Sequence, residues 1–325
     1  MSPLTPRFLL DLRQGTEPLT AAQIAELSDL SAADLHTLTA AWPDVPRERR
    51  LQLMEEMGRL ADERFELNFD AVDLAALGDP DPAIRSLAIR NLWENEEPAL
   101  ARRLLQILQS DPDPAPVRAA ARALGHFVLM GELAQLDEDR LQEIVASLLR
   151  LATTSPDATA RRLSVESLGY SSDPQATRLI GAAFDDPADE WRASALVAMG
   201  RSANPDWTER ILPMLRHPAP VLRREAARAC GELELQASTA ELVDLLEDSD
   251  AEVRAAAIWA LGQVGGKLAY QGLTVVARRQ DDPDEAELAE QALENLAFVD
   301  GTGQLLLYAQ DEDLDDDLNE EVDEE

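Results

Sequence analysis

A right-handed all-α solenoid of about eight helix pairs is the fold this sequence predicts, and three observations carry the prediction. One short pattern recurs six or seven times: an acidic turn, an apolar residue, an arginine, a run of small residues, then Leu-Gly. It reads Ile84-Arg85 to Leu92-Trp93, Pro116-Val117 to Leu124-Gly125 and Ala160-Arg161 to Leu168-Gly169. It continues as Trp191-Arg192 to Met199-Gly200, Leu222-Arg223 to Cys230-Gly231 and Val253-Arg254 to Leu261-Gly262, and degenerates at Leu288-Ala289 to Leu296-Ala297. The closing positions 93, 125, 169, 200, 231, 262 and 297 are spaced by 32, 44, 31, 31, 31 and 35 residues, a period that marks stacked two-helix units. Finally, hydrophobic residues make up 45% of the chain and aromatics only 4%. Alanine lets helices approach closely and leucine fills their seams, which suits helix-on-helix packing.

Residues 1–67 read as a divergent helical cap of the kind an array needs at its end. Phe8, Leu9, Leu10 and Leu12 are expected to fold over the first exposed face. Ser31 caps a helix carrying Leu35 and Leu38 that ends at Trp42-Pro43, and Arg47 to Leu60 forms the next. The array proper spans 68–310. Within 205–231, Asp206 opens a first helix bearing Trp207, Ile211, Leu212 and Leu215, and His217 to Pro220 is the turn. A second helix is expected from Val221 to Ala229, with Gly231 ending it in the left-handed conformation. The next unit repeats this with Leu242, Leu245 and Leu246, the turn Asp248-Ser249-Asp250, and Val253 to Gly262. The 44-residue interval holds about thirteen extra residues, within 126–140, where Gly131 is expected to break the helix and the insertion to act as a spacer. Gln304–Ala309 reads as half a capping helix. Residues 311–325, with eleven acids and no base, form an expected solvated tail.

The Asp-Pro-Asp-Pro turn at 79–82 and 111–114, the Val/Ile/Leu-Arg pair and the Ala-rich Leu-Gly ending resemble the HEAT-like repeats of the phycobiliprotein-lyase type. The resemblance covers about residues 68–297. Residues 194–202 and 226–233 also resemble an uncharacterised bacterial family built wholly of such repeats. It implies an array whose second helices line a concave surface. It implies no one function, because such repeats serve many roles.

A net charge of −34, with Lys267 the only lysine, argues against phosphate backbones and anionic membranes as partners. Cys230 is the only cysteine, so neither an intramolecular disulfide nor a thiolate metal cluster can form, and a buried apolar role is expected. No basic-apolar leader and no membrane-length apolar run is present, so the cytoplasm is the expected location.

Deoxyhypusine hydroxylases resemble this chain in architecture, and that family holds a di-iron centre with His-Glu pairs from several repeats. Here the three histidines read His36-Thr37, His126-Phe127 and His217-Pro218, so no metal and no cofactor is expected. No phosphate-cradling glycine loop and no Gly-x-Ser-x-Gly elbow appears, and no catalytic residue is assigned. The expected function is a non-enzymatic protein-binding scaffold. The alternative is a phycobilin-lyase-like or other small-ligand activity housed in the concave groove.

Two arginine patterns stand out. Arg85, Arg161, Arg192, Arg223 and Arg254 open the second helices beside turn acids, and are expected to form a structural ladder between neighbouring turns. Arg90, Arg118, Arg122, Arg162, Arg224 and Arg228 recur on an outward face, with Trp259 toward one end. These seven are the candidate protein-binding residues. The expected partner is an acidic protein or peptide segment, the chain's own 311–325 among them.

Overall fold

The computed structural model describes residues 4–15, 18–279 and 282–299, so residues 304–309 and 311–325 lie outside it. All regular structure among the described residues is helical, and the chain divides into two compact units, 1–168 and 169–325. Unit 1 holds α1 (Pro6–Gln14), α2 (Ala21–Ala25), α3 (Ala32–Ala41), α4 (Arg47–Glu63), α5 (Asp70–Ala76), α6 (Pro82–Asn91), α7 (Pro98–Ser110), α8 (Pro114–Glu132), α9 (Glu138–Thr154) and α10 (Ala158–Leu168). Unit 2 holds α11 (Pro174–Phe184), α12 (Asp189–Arg201), α13 (Thr208–Ile211), α14 (Pro220–Glu232), α15 (Thr239–Asp244), α16 (Ala251–Val264), α17 (Lys267–Ala277) and α18 (Pro283–Val299). From α5 onward these form seven helix pairs, three in unit 1 and four in unit 2, while in the cap α4 takes the second-helix place and packs on α2. The fold is an all-α solenoid.

The second helices stack directly, α4 on α6, α6 on α8 and α8 on α10 in unit 1, and α12 on α14, α14 on α16 and α16 on α18 in unit 2. Their small and branched residues make the seam: Ala120, Ala121 and Leu124 on α8, and Ala226, Ala227 and Cys230 on α14, are fully buried. Asp81, Asp113 and Asp250 cap α6, α8 and α16 through hydrogen bonds from Ala83, Ala115 and Glu252. Each satisfies an orphan amide at a positive helix end. In the N-terminal cap, Ser31 accepts from Asp34 at the start of α3, and α1 buries Phe8 and Leu12.

Three expectations are corrected. Gly231 does not end its helix in a left-handed turn. The helix α14 runs on to Glu232, and the left-handed residue is Glu234 at φ 48°. There Glu234 donates to Gly231 O at 3.0 Å and Leu235 to Cys230 O at 2.9 Å, a Schellman pair. Glycine is required at 231 for another reason: a Cβ would lie 2.9 Å from Ala260 Cα and 2.5 Å from the Trp259 ring. Gly131 likewise sits inside α8, where a Cβ would press on Leu141 of α9, and Ala134 at φ 58° takes the left-handed position. The extra residues of the 44-residue interval are absorbed by long helices, α8 with 19 residues and α9 with 17. Finally, Asp206 does not open a helix but lies within a 3-10 turn, Pro205–Trp207, that Asn204 caps, and α13 passes at Leu212 into another. Pro213 has no amide to continue the α-helix.

Candidate protein-binding face

The turns before six second helices, α6 to α16, open with a side chain that accepts the amide two residues on. In unit 1, Asp79 accepts from Asp81 at 2.8 Å, Asp111 from Asp113 at 3.0 Å and Ser155 from Asp157 at 3.2 Å. In unit 2, Asp186 accepts from Ala188 at 2.9 Å, His217 Nδ1 from Ala219 at 3.1 Å and Asp248 from Asp250 at 2.9 Å. These local turns fix an acceptor in place without help from the helix.

An arginine from the preceding repeat reaches that acceptor. Arg85 Nε and Nη2 grip Asp111 at 2.7 and 2.6 Å, while its Nη1 donates to Asp79 O at 2.7 Å. Arg223 repeats the arrangement with Asp248 at 2.6 and 2.8 Å and His217 O at 2.8 Å. Arg254 donates to Glu285 at 2.6 Å and to Asp248 O at 2.9 Å. One guanidinium thus ties its own turn to the next, with two-pronged geometry that an ammonium could not supply. Hydrogen bonding from Arg223 holds Asp248 below the usual carboxylate range. Arg192 faces an imidazole where the other turns offer acid: its Nη1 lies 3.3 Å from His217 Nε2, and its Nη2 donates to Met214 Sδ at 3.2 Å. Arg161 is half-buried and engaged.

Two further rungs lay outside the sequence reading. Arg50 of α4 binds Asp79, which also accepts from the Trp42 indole at 2.7 Å, so the ladder extends into the divergent cap. The signal was present, since Arg50 stands about one repeat before Arg85. Arg118 binds Asp157 at 2.5 Å and holds that acid down. It bridges turns across the long α8–α9 repeat, so this residue of the expected binding strip does ladder work.

The remaining strip residues fall in different surroundings. Arg90, Arg118, Arg122 and Arg162 belong to unit 1; Arg224, Arg228 and Trp259 belong to unit 2. Arg224 binds Glu225 at 2.7 Å and also Glu252, while Arg228 lies 4.0 Å from Glu225. Glu225 is buried, so these two guanidiniums compensate an acid that would otherwise be costly. Arg162 is half-buried and engaged. Trp259 is 41% exposed and lies against Gly231. Arg90 and Arg122 differ: both are exposed, and neither side chain has an acidic partner or hydrogen bond among the described residues. They occupy α6 and α8, which stack on each other.

The HEAT-repeat family matches residues 73–144 and 208–294. The chain thus carries HEAT repeats in both units. It is 26% identical to the deoxyhypusine hydroxylase of Candida albicans over 54% of this chain and 51% of that protein. To the deoxyhypusine hydroxylase of Eremothecium gossypii it is 26% identical over 65% of this chain and 61% of that protein. The chain therefore spans between half and two thirds of the length of these relatives. Similar solved structures include the CpcE–CpcF complex of phycocyanin lyase from Nostoc, at 22% identity, 70% and 94% coverage and a TM-score of 0.47. The Kap95:Nup1 complex aligns at 13% identity, 94% and 47% coverage and a TM-score of 0.49. Human deoxyhypusine hydroxylase with glycerol aligns at 19% identity, 90% and 95% coverage and a TM-score of 0.37.

A metal centre built of His-Glu pairs does not fit the residues present. His36 is exposed on α3, His126 meets a single acid, Glu96, at 3.4 Å, and His217 spends Nδ1 on a backbone amide. Among the described residues no group of three or more His, Cys, Asp or Glu could hold a metal ion. Cys230 is buried and its thiol is pushed up to about 12 by burial, which suits an inert core position.

Proposed function

We propose that this protein is a non-enzymatic scaffold that binds an acidic protein segment on the second-helix face of unit 1, through Arg90 and Arg122. One observation carries the reading. In a chain with 63 acids and 29 bases, the ladder arginines and Arg118, Arg162, Arg224 and Arg228 are all engaged, whereas these two, on stacked helices, are exposed and form no ion pair or hydrogen bond among the described residues. Paired guanidiniums on stacked helices suit carboxylates presented by an extended segment. The tail 311–325 has the right charge to be such a segment, and would then compete with an external partner. A cytoplasmic location is part of this reading. No helix among the described residues is long and apolar enough to cross a membrane.

The alternative, a phycobilin-lyase-like or other small-ligand activity, calls for an apolar pocket with a few convergent polar groups. The cleft beside Arg90 has Glu55, Arg59, Asp62 and Arg90 among its lining residues, so that cleft does not fit the description. Affinity capture from native lysate tests both readings. Wild type and a form lacking 311–325 should retain the partner, Arg90→Glu/Arg122→Glu should lose it, and Arg178→Glu should not. Equal recovery by all four forms, or a copurifying coloured ligand, refutes the proposal.

A further inference from the structure

Beside Arg90, the helices α4 and α6 of unit 1 border a cleft of about 310 Å³, whose lining includes Glu55, Gly58, Asp62, Leu87, Arg90 and Trp93. Trp93 is 63% exposed, unusual for the largest apolar side chain in a chain with five tryptophans. On the opposite wall, Glu55 and Asp62 stand two turns apart on α4, hence on one helix face. Both are exposed, and neither has a hydrogen bond or ion pair among the described residues. The basic residue between them is already taken: Arg59 is held by Glu56 at 2.8 Å and Glu63 at 2.6 Å. Gly58 and Ala61 add little bulk to this wall. The cleft therefore presents an open indole, two uncompensated carboxylates and, at one side, one uncompensated guanidinium.

An indole face with carboxylates beside it is the environment that best holds a cation, by the ring quadrupole and by charge pairing. A lone cation would also meet Arg90, so a neighbouring acid is needed to occupy that group. We propose that this cleft takes the guanidinium or ammonium side chain of a mixed-charge partner segment. The cation lies against Trp93 and between Glu55 and Asp62, and an adjacent acid of the segment binds Arg90. The net charge of −34 steers cationic groups toward the molecule. The contact with Arg90 rests on the proposed function; the cation contact does not. The tail 311–325 contains no lysine or arginine, so it can satisfy only the arginine half of the surface. A partner carrying a cation beside its acids would displace it.

The test uses the full chain with ¹⁵N-labelled tryptophan indoles, the Trp93 signal being assigned by Trp93→Phe. The probes are a short acidic peptide, the same peptide with one added arginine, and N-acetyl-arginine amide. The added arginine should tighten binding about tenfold and shift the Trp93 indole signal. That gain should vanish in Glu55→Gln/Asp62→Asn and persist in Arg122→Gln. Equal affinity for the two peptides, or a gain that survives Glu55→Gln/Asp62→Asn, overturns the proposal. If neither peptide binds but N-acetyl-arginine amide still shifts Trp93, and not in Glu55→Gln/Asp62→Asn, the cation site stands and the acidic-segment reading falls. No Trp93 shift with any probe overturns the cation site.

Discussion

Replacing His217 by Asp should strengthen the packing of α12 on α14. At the neighbouring rung, Arg223 grips Asp248 through two hydrogen bonds of 2.6 and 2.8 Å, with side chains only 13% and 8% exposed. At the His217 rung, Arg192 has an imidazole nitrogen at 3.3 Å, a thioether at 3.2 Å and Asp189 at 3.6 Å. An aspartate keeps the local turn, because Asp248 accepts the amide of Asp250 just as His217 accepts that of Ala219. It adds the two-pronged contact. Hydrogen bonds to a charged group contribute about 1.5–3 kcal/mol net. Arg192 is 22% exposed, and the new carboxylate loses some hydration, so about 1 kcal/mol remains. For a unit of this size that is about 2–4 °C in Tm. The assay is urea unfolding of four proteins: wild type, His217→Asp, Arg192→Met and the double variant. The cycle isolates the pair from unrelated effects of either change. A coupling of about 1 kcal/mol is expected. No gain from His217→Asp, or the same gain with and without Arg192, refutes the rung account.

Three more outcomes follow from the packing. Asp111→Asn should destabilise unit 1 by about 3 kcal/mol, since Arg85 would be left 11% exposed with one prong unsatisfied, measured by chemical denaturation. Gly231→Ala should cost stability despite alanine's better helix propensity, because the new Cβ meets Ala260 backbone at 2.9 Å; tryptophan fluorescence should change as the Trp259 ring is displaced. Because arginine hydrogen bonds hold Asp248 and Asp157 below their unfolded values, their contribution is complete above about pH 4 and is lost as pH falls through the folded values. Asp248→Asn should therefore flatten the acid limb of the stability profile.

The repeat pattern and the fold class were legible because stacking imposes a local rule on every unit. Each seam needs small residues, most turns carry an acid, and most second helices an arginine near their start. What was not legible depended on residues far apart in the chain. Arg118 looked like a surface residue because its acid, Asp157, lies across the lengthened α8–α9 repeat. Arg50 was hidden by the irregular sequence of the cap, though Asp79 was read as a turn residue. Gly231 was assigned to a helix end because a terminal glycine and a close-packing glycine look alike in one dimension.

The candidate surface divides in the same way. The amino-acid sequence alone determined an all-α repeat array, strongly acidic, with arginines recurring at two helix positions, since periodicity and charge are properties of the chain itself. Only the tertiary structure decided which arginines are used up. An ion pair forms where folding brings a guanidinium to an acid of a neighbouring repeat, as Arg85 meets Asp111 and Arg224 meets Glu252. Within the strip of outward arginines, Arg90 and Arg122 are marked by the lack of such a partner, and Trp93, Glu55 and Asp62 by the cleft they share. Those are relations in space, and no spacing along the sequence encodes them.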